Sequence, residues 1–302
     1  MKVLFILNPI SGGRSKADFL DEAELLLNRY GIKGKIYLTT GKDDEAKIRK
    51  EVQDFLPDRV MSIGGDGTTL LTALSLQESH IPFGIIPMGS ANGMSKELAV
   101  DNNPINALKD ALFSQIIVPL DMISINDEHY SLHLGDFGIN AAIVESYSKE
   151  DSRGWASYAK YFIQAVAEAE AFEVEVTANQ ETKSYMAYAV IIANTRMYGT
   201  GAVINPIGNP HDGKFELVIA TRHDLSGLIS LGLSSITEEA LGAMEDYGEI
   251  IQTKHAVIKL KHDRMLQLDG ELIGKTKQVE LKILPAANLY ITTNDNHFLK
   301  QE

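Results

Sequence analysis

The 302-residue sequence contains no cysteine, a single tryptophan and no excess of basic charge. Each absence closes off a class of chemistry. Without cysteine there is no disulfide, no thiolate metal site and no sulfur nucleophile, which suits a reducing compartment. Lys and Arg number 28 against 41 Asp and Glu, a net charge of -13. The overall field therefore repels nucleic-acid phosphates, and no nucleic-acid partner is expected. The same field opposes an anionic bilayer unless a local patch overrides it. Long apolar runs are missing too. The longest, residues 186–193, falls well short of the roughly 18 residues a membrane span needs. The apolar residues 3–7, ahead of Asn8-Pro9, are too few for a signal-peptide core. The expectation is a cytoplasmic protein without a transmembrane segment.

What is present is the material of a globular protein: 44% hydrophobic and 23% charged residues, in a length that fits two ordinary domains. In the first 120 residues, short apolar runs at 3–7, 35–39, 59–63 and 83–86 alternate with amphipathic helical patterns at 15–30 and 43–55. That alternation predicts successive βα units and a doubly wound parallel sheet, with its ligand crevice at the carboxyl ends of the strands. From about residue 121 the texture turns β-rich, with strand patterns at 131–137, 172–178, 183–194, 214–221, 255–260 and 279–284. Helical patterns at 155–171 and 225–244 interrupt them. The fold class is thus α/β plus β: an N-terminal α/β domain over 1–125, then a sandwich-like or open-barrel β domain over 126–302. The tail from residue 294 could pack back on the first domain.

Glycine-bearing turns stand where strands end. Asn8-Pro9-Ile10-Ser11-Gly12-Gly13-Arg14 follows the first strand, where backbone amides and a helix N-terminus can meet a phosphate, with Ser11 and Arg14 adding a hydroxyl and a charge. An ordinary βα turn capped by Ser15 would read the same way. Gly64-Gly65-Asp66-Gly67-Thr68 is harder to explain by packing alone, because three glycines around one aspartate cost chain entropy that a plain turn would not require. Its Asp66 can hold a metal through water or accept a proton. Pro87-Met88-Gly89-Ser90-Ala91-Asn92-Gly93 supplies either a capped helix or hydroxyl and amide contacts to a ligand. Leu268-Asp269-Gly270-Glu271 by itself is a common hairpin turn. His129 and His133 have helical metal spacing on a strand-like segment, so no zinc site is expected. No P-loop, protein-kinase loop set or Gly-x-Ser-x-Gly elbow occurs.

The Gly64-Gly65-Asp66-Gly67-Thr68 turn resembles the signature of the superfamily of diacylglycerol, sphingosine and NAD kinases. The order of the remaining motifs resembles its lipid-kinase branch. Asn8 to Gly13 looks like the opening nucleotide motif, Thr39-Thr40 the second-strand hydroxyl contact, and Pro87 to Asn92 the P-x-G-[ST]-x-N block. Residues 135–140, the 199–213 region and Asp269-Gly270-Glu271 follow in the family's order. The resemblance implies an ATP site built from Asn8, Pro9, Ser11, Gly12, Arg14, Thr40, Gly64, Gly65, Asp66, Gly67, Thr68, Gly89, Ser90 and Asn92. It further implies magnesium organised by Asp66 and Asp121, and a structural magnesium loop at Asn209, Asp212 and the carbonyl of Lys214. Asp269 and Glu271 would be the late acids, with Glu271 the proton acceptor.

Two positions depart from the family pattern: Leu71 stands where the acid of G-G-D-G-T-x-x-E is common, and Gly93 where diacylglycerol kinases often carry Asp. The implied function is ATP-dependent phosphorylation of a lipid hydroxyl, of diacylglycerol or sphingoid type, in phospholipid metabolism. NAD kinase and a catalytically silent nucleotide- or lipid-binding homologue are the rivals. The lipid partner implies peripheral contact with a membrane, for which the basic stretches 149–160 and 254–264 are candidates. A homodimer is compatible with this reading.

Overall fold

In the computed structural model, residues 1–13, 16–137, 170–198, 202–221 and 248–300 are described. The chain divides into two compact units, Met1–Leu120 with Ala286–Glu302, and Asp121–Pro285.

The first unit runs β1 (Lys2–Leu7), α1 (Ala17–Arg29), β2 (Lys33–Leu38), α2 (Asp44–Phe55), β3 (Arg59–Gly64), α3 (Asp66–Leu76), β4 (Phe83–Pro87), α4 (Gly93–Glu97) and α5 (Pro104–Phe113). The strands are all parallel, in the order β2-β1-β3-β4. Buried on both faces, the interior strands read as unbroken apolar runs rather than alternating ones. Val3, Phe5 and Leu7 face α1 and α5, whose Phe19, Ala23, Leu108 and Leu112 complete one core cluster. Helices α2 and α3, in contact with each other and with β1, lie outside that cluster, so the sheet is wound on both faces. Residues returning from the far end of the chain extend this sheet beside β4, with Tyr290 opposite Phe83. Asn288 Nδ2 donates to the carbonyl of Ala73 at 2.8 Å and Ser114 Oγ to that of Thr292 at 2.5 Å, which anchors the returning segment.

The chain continues as β5 (Ile116–Ile125), β6 (His129–Ser131), β7 (Leu134–Phe137), β8 (Phe172–Ala178), β9 (Glu181–Ala187), β10 (Ala189–Ala193), β11 (Met197–Tyr198), β12 (Ala202–Val203), β13 (Phe215–Ala220), β14 (Gly248–Thr253), β15 (His255–Leu268) and β16 (Glu271–Thr292). In the second unit the pairings are antiparallel. β8 shows why: Phe172, Val174, Val176 and Ala178 are buried while Glu173 and Glu175 face outward, the period-two pattern of a strand with one wet face. These side chains join Phe137, Val190, Ile192, Phe215, Leu217, Leu266 and Leu268 in one apolar core.

The doubly wound sheet and the β-rich second part agree with the sequence reading. Several details differ: β5 and β14 are strands outside the expected patterns, and the 131–137 pattern is broken into β6 and β7. The 183–194 pattern is two strands, because Tyr188 separates β9 from β10. β15 and β16 extend far beyond 255–260 and 279–284, since alternating Lys259, Lys261 and Asp263 mark a solvated strand face rather than a loop. Helix α5, unpredicted, starts at Pro104 and is capped by Asn103, whose Oδ1 accepts from Ile105 and Asn106 N–H. The helical patterns at 155–171 and 225–244 lie almost wholly outside the described residues.

Candidate active site

In the first unit, three turns converge at the carboxyl ends of β1, β3 and β4. Asn8 N–H donates to Ile63 O at 3.1 Å and Met88 N–H to Gly64 O at 2.8 Å, tying the strand ends together. Ser11 Oγ bonds Asn8 O at 3.2 Å and Met88 O at 3.3 Å, and Lys16 Nζ holds the carbonyl of Ser11 at 2.7 Å. Burial lowers the pKa of Lys16 from its ordinary value. The backbone of this cradle leaves no room for side chains. A Cβ on Gly89 would run into the Cα of Gly65 and lie 2.8 Å from its nitrogen, and one on Gly12, at φ +67°, would sit 2.5 Å from Met88 O. Such close glycine backbones give amides an unobstructed approach to phosphate oxygens. Replacing Gly89 by Ala is therefore expected to destabilise the first unit by about 1–3 kcal/mol, the usual size of an overpacking penalty. A melting temperature equal to wild type would refute the close packing.

The polar side chains of these turns are mostly turned on the turns themselves. Asn8 Oδ1 accepts from Ile10 N–H at 3.1 Å. Asn92, at φ +53°, accepts from Gly89 N–H at 2.8 Å and donates to Gly89 O at 3.0 Å, so both ends of its amide are engaged. Thr68 is buried with its side chain against Gly64, whereas Pro9, Gly67 and Ser90 are exposed. Arg14 lies outside the described residues. Asp66 receives Gly93 N–H at 3.0 Å and Met94 N–H at 2.9 Å, one on each oxygen, and thereby fastens the start of α4 to the start of α3. Lys96, one turn further, has its pKa lowered by burial, a shift partly offset by the charge of Asp66.

At the end of β2, Asp44 gathers four donor groups. Tyr37 OH lies at 2.6 Å, Thr40 Oγ1 at 2.9 Å, Thr40 N–H at 2.9 Å and Gly41 N–H at 2.6 Å. Burial raises its pKa, but these hydrogen bonds prevail and bring it down from 3.8 to about 2. A folded-state value below the unfolded one stabilises the fold above the unfolded pKa and is lost as pH falls through the folded pKa. The stability difference between wild type and Asp44→Asn, from urea unfolding, should thus be full above about pH 4 and shrink towards pH 2. A difference independent of pH would refute the assignment. Sequence reasoning missed Asp44, although an acid in the first turn of a helix just after Thr-Thr-Gly is a legible capping signal.

The second unit holds the late acids. Asp269 accepts from Ser131 Oγ at 2.6 Å and from the N–H groups of Leu132, His133 and Leu134 at 3.0, 3.1 and 3.0 Å. Its own N–H donates to Leu134 O at 2.8 Å. Glu271, two residues on, is exposed, and no described residue bonds its carboxylate. The two acids of the motif are therefore unlike: four donors converge on one, and no described residue bonds the carboxylate of the other.

Asp121 is buried and accepts from Gly213 N–H at 2.6 Å. Asn209 Oδ1 accepts from His211 N–H at 3.1 Å, and Asp212 Oδ1 from Lys214 N–H at 2.9 Å. Behind this loop, Gln252 links Lys214 Nζ at 2.8 Å to Glu216 at 2.9 Å, and Asn205 holds the other Glu216 oxygen at 2.6 Å. Burial raises the pKa of Glu216, against the hydrogen bonds from Asn205 and Gln252. Among the described residues no three acids or histidines gather into a metal cage. That is no obstacle to magnesium, which keeps several waters and takes one or two carboxylates with substrate phosphates. Oxygen donors at Asp66, Asp121, Asn209 and Asp212 suit that cation. Within the stretch 254–264, Lys261 pairs with Glu173 at 2.7 Å, Lys259 with Glu175 at 3.4 Å, and Arg264 lies 3.8 Å over the Phe172 ring, so these three cations are engaged within the second unit. The stretch 149–160 lies outside the described residues. Among those residues no helix is long and apolar enough to cross a membrane.

Residues 2–125 match the diacylglycerol kinase catalytic domain, and residues 136–291 match the YegS C-terminal NAD kinase beta sandwich-like domain. Lipid kinase YegS of Escherichia coli strain K12 is 29% identical over 295 residues, 94% of this chain and 93% of that protein. A solved diacylglycerol kinase structure from Bacillus anthracis strain Sterne has the same fold, with a TM-score of 0.76 at 19% identity over 98% of each chain.

Proposed function

The chain belongs to the diacylglycerol kinase-like lipid kinases, and from that membership we propose that it transfers the γ-phosphoryl group of ATP to a hydroxyl of a lipid, of diacylglycerol or sphingoid type. The observation that carries the reading is the cradle of Gly12, Gly65 and Gly89, whose backbones approach one another at three strand ends. Phosphoryl transfer asks little covalent chemistry of a protein and much alignment and charge neutralisation. The amides of the three turns hold the phosphates, and Ser11 and Ser90 border them. Glu271 takes the proton of the attacking lipid hydroxyl as the bond from its oxygen to phosphorus forms and ADP departs. Asp269 keeps that acid in place by its anchorage to residues 131–134. Magnesium, when bound, would neutralise phosphate charge with Asp66 and Asp121 as its carboxylates, and Asn209, Asp212 and the Lys214 carbonyl would hold a structural ion.

Purified protein incubated with γ-labelled ATP, magnesium and vesicles carrying diacylglycerol or a sphingoid base, with NAD in parallel, tests the proposal. A labelled lipid is expected. Labelled NADP would transfer the assignment to an NAD kinase, and ATP binding without any labelled product to a silent homologue, the outcome that Leu71 and Gly93 would then explain.

A further inference from the structure

The bend after β2 has a hydrogen-bond polarity that restricts what it can bind. Thr40 Oγ1 has one hydrogen to give. Two acceptors lie within reach, Asp44 Oδ1 at 2.9 Å and Lys42 O at 3.2 Å, and the carboxylate is both nearer and charged. Lys42 N–H donates to this oxygen at 3.3 Å and takes one of its two lone pairs, whereas Lys47 Nζ, whose short bond is to Lys42 O at 2.6 Å, reaches it only at 3.5 Å, so a single lone pair is left to a ligand that displaces that long contact. Asp44 fixes the backbone as well as the hydroxyl, through Thr40 N–H and Gly41 N–H, and Tyr37 OH braces it from within β2. Thr40 itself is exposed. The residue therefore offers a ligand an acceptor and no donor. A phosphate oxygen carries no hydrogen to give it, whereas a ribose hydroxyl and the exocyclic amine of adenine do.

We propose that Asp44 is a positioning residue that turns Thr40 into a hydrogen-bond acceptor for the nucleoside part of the nucleotide, so that the β2 end selects the nucleoside while the glycine turns take the phosphates. This rests on the nucleotide reading above. The shared chemistry is a donor, and it has two sources in ATP, the sugar hydroxyls and the base amine.

Dissociation constants measured by calorimetry for ATP, 2′-deoxyATP, 3′-deoxyATP, inosine triphosphate and tripolyphosphate, on wild type, Thr40→Val and Asp44→Asn, test it. In wild type, a deoxy nucleotide or inosine triphosphate is expected to bind about tenfold more weakly than ATP, the size of one hydrogen bond. The analogue affected identifies the donor. That discrimination should vanish in both variants, while tripolyphosphate binds all three proteins alike. A purely structural Asp44 would lower the melting temperature and leave discrimination intact, which would overturn the inference. So would equal weakening of tripolyphosphate and ATP, or a wild type indifferent to all three analogues. If Asp44→Asn does not fold, Thr40→Val alone decides the polarity. A wild type that binds no ATP at all would instead remove the nucleotide reading, and the inference with it.

Discussion

Exchange of Glu271 for glutamine is expected to cut lipid phosphorylation by about 10²–10⁴-fold, the range in which a general base acts, while leaving the melting temperature and ATP affinity at wild-type values. The split follows from the surroundings of the residue. Its carboxylate is exposed and no described residue bonds it, so an amide introduced there would find nothing to disrupt. Asp269→Asn should behave differently. Four donors converge on that carboxylate, and an amide nitrogen would face at least one of them with a hydrogen of its own. Loss of a half-buried, multiply bonded carboxylate costs about 1–3 kcal/mol, so this variant should lose stability and turnover together. Turnover and thermal denaturation on both variants separate the roles. Full activity in Glu271→Gln, or an inactive Asp269→Asn of undiminished stability, would reverse them.

The second large effect is expected at Asp66. Asp66→Ala strips the cap from Gly93 and Met94 N–H and should destabilise the first unit by about 0.5–2 kcal/mol, the range measured for capping side chains. Asp66→Asn keeps an oxygen for one of the two amides and should lose less stability. If the carboxylate also organises the cation beside the phosphates, both variants should lose at least about a hundredfold in turnover, whatever their stability. An asparagine variant with wild-type turnover would restrict Asp66 to joining α3 to α4.

How much of this was legible beforehand depended on how far apart the interacting residues stand in the chain. The parallel strands announced themselves through unbroken apolar runs such as Phe5-Ile6-Leu7, and the glycine turns through their composition. Asp269-Gly270 was legible as a hairpin turn, and it is one, joining β15 to β16. Its hold on residues 131–134 was not, because those partners precede it by 135 to 138 positions and have no sequence feature that marks them as donors. The length of β15 was hidden by its charged outer face, whose lysines pair with Glu173 and Glu175 of a strand far upstream. The same pairing was invisible when 254–264 was read as a basic stretch. Long-range electrostatic pairing is a property of the fold, and neither periodicity nor composition carries it.

The segment around Tyr290, paired with β4 and set edge-on to the Phe83 ring, also bears on the order in which the protein is made. A ribosome releases residues 1–120 early, yet their sheet stays one strand short until residue 292 has been synthesised. Everything in Asp121–Pro285 must be translated in between. The half of the molecule that begins first is thus the last whose edge can close, and the nascent chain carries an open flank of β4 throughout elongation, a template for unwanted strand pairing.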